Sequence, residues 1–272
     1  MSTARTINPG RNLPLATVVG LGLLALLVGS LVFNPFLFAT LLALAGIGAV
    51  KELIAFFPDS RVSRFGLMIA VATVIVVAYL HGVQAASLLA VAGVFANLIL
   101  RLNSGTARYA SDAGIIALAV VYIGLGLAFA ADLSRYDNGL QLVMTLVLLT
   151  AANDTGGYFA GIIAGKHPMV PSISPKKSWE GFAGSLFLQA VIGAFAVPAM
   201  LEISMFEGMA LGILMTFTAT AGDLIESALK RDRGIKDSGN TIPGHGGVLD
   251  RIDSHLLNAP VAWLALTFLT GL

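Results

Sequence analysis

Apolar residues run through this chain in long blocks, broken by short polar stretches of similar spacing. A helix that crosses the hydrocarbon core of a bilayer needs about 20 apolar residues. On that ruler the sequence predicts nine spans: Leu13–Phe33, Phe36–Phe56, Phe65–Leu80, Val83–Leu100, Ala113–Ala131, Leu140–Ile163, Phe182–Met200, Phe206–Ile225 and Leu256–Leu272. Asn34-Pro35 and His81-Gly82 are tight reversal signals, so two pairs of spans are expected as helical hairpins. The run after the polar residues 1–12 resembles a signal-peptide core in length, but apolar segments continue to the end, so it reads as the first span. Composition points the same way. The chain has 272 residues, 57% of them hydrophobic and 11% charged, with mean hydropathy +0.86. A soluble domain would carry about twice that charge. The expectation is an all-α integral membrane protein forming one polytopic domain over 1–272. Residues 1–139 supply mainly structural helices, and residues 140–272 the catalytic half.

Charge placement orients the spans. With the N-terminus in the cytoplasm, 15 of the 16 Lys and Arg fall in cytoplasmic segments, and only Arg135 lies outside. A multi-pass protein of the cytoplasmic membrane is expected, with its site on the cytoplasmic surface. Cysteine is absent, which excludes disulfides and thiolate metal sites. The net charge of +1 points to no particular partner, and no nucleic acid is expected. The first five spans are rich in Leu, Val, Ala and Gly, and their glycines read as close helix contacts. Arg11 sits where it can snorkel to lipid headgroups. Lys51 and Glu52 end the second span, either as a local ion pair or with Glu52 turned toward the site.

The polar residues concentrate in one place. Between Asp223 and Asp253 lie eleven fixed charges and His245, in 31 positions. Asp223 and Glu226 are spaced i, i+3, and Lys230 follows Glu226 at i+4, so a helix puts all three on one face. Asp250 and Asp253 repeat the paired carboxylates. Between the pairs, Pro243-Gly244-His245-Gly246-Gly247 is a turn with little side-chain bulk, where backbone N–H groups can approach an anion. Carboxylates hold hard divalent ions and bases hold phosphate oxygens, which together suit phosphoryl or nucleotidyl transfer. A basic loop that only fixes topology is the plainer reading of the same composition.

Two more stretches carry chemistry. Asn153-Asp154-Thr155-Gly156-Gly157 lies inside the sixth span, and an ionisable group there usually faces a polar cavity. Asp154 is expected to contact metal or nucleotide, with a satisfied internal polar group as the plainer reading. The following loop carries Lys166 and then Ser174-Pro175-Lys176-Lys177-Ser178-Trp179-Glu180-Gly181. Lys176 and Lys177 are either topology signals or phosphate ligands. Ser178 is a candidate N-cap for the seventh span, with Glu180 in its first turn.

The order of these residues resembles the signature of the phosphatidate cytidylyltransferase (CDP-diacylglycerol synthase) family. Ser227, Lys230, Arg231, Lys236, Asp237, His245, Gly246, Gly247, Asp250, Arg251 and Asp253 all fall in place. Asp154 and the Ser-Pro-Lys-Lys stretch resemble the family too. Ser178 stands where members carry Thr, and Ile162 where many carry a basic residue. The resemblance implies that CTP and phosphatidate react to CDP-diacylglycerol and pyrophosphate. Lys230, Arg231, Lys236, Asp237, His245 and Arg251 then hold catalytic positions. Lys166, Ser174, Lys176, Lys177, Ser227, Gly246 and Gly247 bind substrate. Asp154, Asp223, Glu226, Asp250 and Asp253 are the expected metal ligands, with Mg²⁺ the natural ion for oxygen donors. The resemblance further implies a second ion such as K⁺, and a homodimer. The rival readings are a lipid kinase of the polyprenol or phytol type, and a transporter. A transporter should carry polar groups near the midplane of several spans.

Overall fold

The structure is a computed structural model that describes residues 13–244 and 246–272. The expectations placed on Arg11 and His245 lie outside the described residues. The chain is helical except for one hairpin. Helices α1 (Leu13–Phe33), α2 (Pro35–Ala55), α3 (Arg64–His81) and α4 (Val83–Leu102) come first. Next is a continuous path, Tyr109–Leu133, made of α5 (Tyr109–Ala117), a π-helical stretch (Leu118–Leu125) and α6 (Gly126–Leu133). Helix α7 (Gly139–Ala164) leads into β1 (Pro168–Val170) and β2 (Ser174–Ser178), followed by α8 (Trp179–Met200), α9 (Met205–Asp232) and α10 (Leu249–Thr270). Among the described residues, eight helices are long and apolar enough to cross a membrane, and Val18–Phe33 of α1 adds a shorter apolar helix. Large apolar side chains face outward all round, including Phe33, Phe65, Ile163, Phe187 and Phe268.

Both expected reversals form. Asn34 N-caps α2, its Oδ1 accepting from Phe36 N at 2.9 Å, and Pro35 fills the first helical position, where a missing N–H costs nothing. Gly82, at φ +88°, takes the chain from α3 to α4 through a backbone conformation that suits only glycine. The expected loop before α8 is instead an antiparallel hairpin that pairs Pro168 with Ser178 and Val170 with Ser174.

Two apolar cores meet at α10. One gathers α2, α3 and the π-helical stretch around Leu53, Leu67, Ile75 and Ile123. The other gathers α7, α8, α9 and α10 around Leu146, Leu149, Val197 and Met215. Leu249 and Leu256 of α10 belong to the first core, while Ala262 and Leu266 of the same helix belong to the second. The helices of the second core are drawn together at glycines. A Cβ on Gly156 of α7 would lie 2.9 Å from the Gly184 carbonyl carbon of α8. One on Gly222 of α9 would lie 2.7 Å from the Asp253 carbonyl oxygen of α10. Interhelical hydrogen bonds reinforce this approach, as expected where lipid gives no hydrophobic drive. Gln189 Nε2 donates to Leu149 O at 2.6 Å, Thr216 Oγ1 to Gln189 Oε1 at 2.6 Å, and Asn258 Nδ2 to Thr150 Oγ1 at 2.9 Å. The close pairs α7–α8 and α9–α10 carry Asp154, Asp223 and Asp253, so helix packing sets the spacing of these acids.

Candidate active site

The C-terminal ends of α7 and α9 and the N-terminal ends of α8 and α10 meet at one end of the bundle, with the β-hairpin beside them. A cavity of about 330 Å³ opens there. Asn153, Asp154, Lys176, Lys177, Ser178, Thr220 and Asp223 supply its polar wall, and Tyr158, Met169 and Phe182 its apolar one. Each polar group has a local reason for its position. Ser178 caps α8, accepting from Gly181 N at 3.1 Å, as its place before the helix predicts. The β2 strand running into that cap carries Lys176 and Lys177 to the cavity. Lys177 Nζ lies 2.7 Å from Asp223 Oδ2, and Ser227 Oγ donates to Asp223 Oδ1 at 3.2 Å. Asn153 Nδ2 donates to Asp154 Oδ1 at 3.3 Å, while the buried Asn153 Oδ1 has no protein partner.

A second cluster lies behind the first. Glu226 is fully buried and pairs with Lys230, one turn on, as the i, i+4 spacing predicts. Lys230 Nζ also reaches Asp250 Oδ1 at 2.7 Å. Asp250 in turn accepts from Ser238 N at 3.0 Å and Gly247 N at 3.1 Å. Asp253 stands on α10, its carbonyl oxygen against Gly222 of α9 and its Oδ1 accepting from Ser254 N at 2.6 Å. Among the described residues, no three acids or histidines gather into a ready-made metal cage. The five carboxylates expected as ligands are divided. Asp154 and Asp223 open on the cavity, Asp253 lies on α10 where that helix packs against Gly222 of α9, and Glu226 and Asp250 answer to Lys230. The cavity offers hard oxygen donors, two carboxylates and the unpartnered Asn153 Oδ1, which suits Mg²⁺.

The remaining expected residues disperse around this centre. Arg231 is a brace: Nε donates to Ile173 O in the hairpin turn at 3.1 Å, and Nη1 to Ile235 O at 3.0 Å. Ser174 pairs with Val170 within the hairpin. Lys166 and His167 give their backbone N–H groups to Glu180 Oε2, at 3.1 and 3.2 Å, outside the cavity wall. Lys236 and Asp237 are exposed. Gly246, at φ +90°, closes a small bridge with Ile242. Arg251 lines a different cavity. That space, about 390 Å³, is walled mostly by Leu23, Leu27, Leu42, Val143, Leu146 and other apolar side chains of α1, α2, α6, α7 and α10, with His255 near Arg251.

Sequence reasoning left Glu52 undecided and did not find Ser238 or Thr241. Lys51 and Glu52 form no pair. Glu52 is buried at 5% exposure and turns to the 238–249 segment, where it accepts from both hydroxyls. The only signal in the sequence was a lone carboxylate at the end of an apolar span.

The model of the cytidylyltransferase family matches residues 15–269. The phosphatidate cytidylyltransferase of Mycobacterium bovis is 37% identical, with 97% of this chain and 91% of that protein aligned. That of Mycobacterium leprae is 36% identical over 98% of this chain and 92% of its own length. That of Staphylococcus aureus is 35% identical over 87% and 90%. A family match over residues 15–269, with relatives 35–37% identical over most of the chain, makes the chain a member of the cytidylyltransferase family.

Proposed function

We propose that this protein is a phosphatidate cytidylyltransferase. It transfers the cytidylyl group of CTP to phosphatidate and releases pyrophosphate, forming CDP-diacylglycerol for phospholipid synthesis. The observation that carries this reading is the cavity in which Lys176 and Lys177 meet Asp154 and Asp223 at the end of a lipid-facing helix bundle. The named activity of the relatives supports the choice of substrates.

An oxygen of the phosphatidate phosphate attacks the α-phosphorus of CTP. A new P–O bond forms, and the bond from the α-phosphorus to the oxygen bridging to the β-phosphorus breaks. The nucleophile is already anionic, so no strong base is required. The difficulty is the approach of two polyanions. Lys176 and Lys177 meet this by giving cationic hydrogen bonds to phosphate oxygens. Asp154 and Asp223, with Asn153 Oδ1, would hold Mg²⁺, which neutralises phosphate charge and favours departure of pyrophosphate. Asp253, on α10, is the place proposed for a second ion such as K⁺. Lys230 holds Asp250 and Glu226 in place, and Asp250 fixes the Ser238–Gly247 loop. An acyl chain of phosphatidate occupies the apolar cavity, with Arg251 at its rim to receive the lipid phosphate.

The proposed setting is the cytoplasmic membrane, spanned nine times with the N-terminus in the cytoplasm and the site on that surface. The basic residues support this orientation. A homodimer is the proposed assembly, on the family resemblance. The test is pyrophosphate release by the purified, detergent-solubilised protein. Release should require CTP, phosphatidate and Mg²⁺ together, and should fail with ATP or EDTA. No release from a monodisperse sample across several chain lengths of phosphatidate would overturn the substrate assignment.

A further inference from the structure

The N-terminal half supplies a residue to the site from far away in sequence. Glu52 stands near the end of α2, and among the described residues every hydrogen bond it accepts comes from the segment of Ser238 to Leu249. Its Oε1 receives Thr241 Oγ1 at 2.6 Å and Val248 N at 3.0 Å. Its Oε2 receives Ser238 Oγ at 3.1 Å and Leu249 N at 2.9 Å. Both backbone donors belong to the start of α10, whose own N-cap residue, Val248, offers no side-chain acceptor. A carboxylate at a helix N-terminus also meets the positive end of the helix dipole. Glu52 therefore caps α10 from another helix.

The same carboxylate shapes the glycine-rich loop. A Cβ on Gly239 would lie 3.0 Å from Glu52 Oε1, and one on Gly247 would lie 2.7 Å from Oε2. These glycines leave room for Glu52. Ser238 links the clamp to the site: its hydroxyl reaches Glu52, while its N–H donates to Asp250 Oδ2 at 3.0 Å. Gly247 N holds the same Asp250 oxygen at 3.1 Å.

We propose that Glu52 is a positioning residue for the transfer reaction, clamping the 238–248 loop and the first turn of α10 so that Asp250 and Arg251 keep their places. This rests on the roles proposed above for Asp250 and Arg251. The informative variant is Glu52→Gln, which keeps size but turns one acceptor into a donor. Hydroxyls can rotate to meet that donor, whereas a backbone N–H cannot. Glu52→Asp keeps both acceptor oxygens on a shorter stem.

Two readouts separate positioning from general support. In the first, kcat and KM for CTP and phosphatidate are measured on the reconstituted full chain. Glu52→Gln is expected to lower kcat by about 10- to 100-fold, the range seen when a supporting shell is removed, and to raise KM for phosphatidate, whose phosphate Arg251 receives, with KM for CTP little changed. Glu52→Asp should recover part of the loss. The second is hydrogen exchange together with tryptic cleavage after the exposed Lys236. Both should rise in residues 237–249 of Glu52→Gln while α7 and α8 stay protected. Wild-type kcat and wild-type protection of the loop in Glu52→Gln would overturn the proposal. So would a loss of activity that only follows loss of folded protein, with protection falling everywhere. If the loop loosens in Glu52→Gln while Asp250→Asn still turns over normally, the clamp is real and the role given to Asp250 is the part that fails.

Discussion

Lys177 and Asp223 face each other across the cavity at 2.7 Å, one from a hairpin strand and one from the interior of a long helix. Both are partly buried, and pairing offsets the cost of desolvating each. Paired, they set a cation and a carboxylate side by side on the cavity wall, as the proposed phosphate and metal contacts require. Lys177→Ala should therefore cost about 100-fold or more in kcat/KM, the scale for loss of one aligned charge stabiliser, and Lys177→Arg should keep part of the activity. Asp223→Asn should abolish pyrophosphate release while the chain still fractionates with the membrane. Normal turnover in both Asp223→Asn and Asp154→Asn would remove the metal assignment. Asp154 and Asp223 were visible in the sequence because an acid within an apolar span stands out. Lys177 was visible only as one of two readings, since a basic loop fixes topology whether or not it binds anything. Glu52 was harder still: its four partners lie on the far side of the chain, and no local pattern announces them.

At the scale of elements, helix ends departed furthest from expectation. Hydropathy stopped the eighth span at Ile225, yet α9 continues to Asp232. Its last two turns are polar but good helix formers, and Lys230 and Arg231 suit the negative end of the dipole. The ninth span was expected from Leu256, yet α10 begins at Leu249. Its first turn is held by Glu52 of α2, so no nearby residue marks the start. The π-helical stretch Leu118–Leu125 was also hidden, since an apolar run looks the same with either hydrogen-bond pattern. There Tyr122 OH donates to Gly222 O at 3.3 Å, beside the glycine contact that joins α9 to α10. Gly222→Val would force that contact apart, because even a Cβ falls 2.7 Å from Asp253 O. The variant should lose activity together with thermal stability in detergent, measured by the melting transition and by pyrophosphate release. An unaltered melting transition would mean that α9 and α10 have room to spare.

Across the whole molecule, the sequence carried the order of the apolar blocks well, because span length is fixed by the bilayer and not by tertiary detail; among the described residues eight helices are long and apolar enough to cross, and α1 adds a shorter apolar one. The buried pair Arg101–Asp112, at 2.6 Å, had no such signal. Arg101 is 1% exposed and also donates to Gly105 O, while Asp112 accepts from Ser60 Oγ at 2.8 Å, so the pair ties the α2–α3 and α4–α5 turns together. Removing one partner leaves an unanswered buried charge, and Asp112→Ala should destabilise the fold by about 3–5 kcal/mol, read in detergent unfolding. Orientation can be tested directly because the chain contains no cysteine. A single Cys in place of Asp237 should react with a membrane-impermeant thiol reagent only in inverted vesicles. One in place of Asp137 should react only in intact cells. The opposite pattern would invert the proposed topology.

The apolar cavity beside Arg251 has a consequence for how the reaction responds to its substrates. Its walls include Leu23, Leu24 and Leu26, which face outward from α1, so it borders the lipid phase directly. A substrate drawn from that phase is counted by its share of the surface, not by its amount per litre of solution. Adding inert detergent at constant total phosphatidate should therefore slow the reaction as if substrate had been removed, while the dependence on CTP keeps its ordinary molar form.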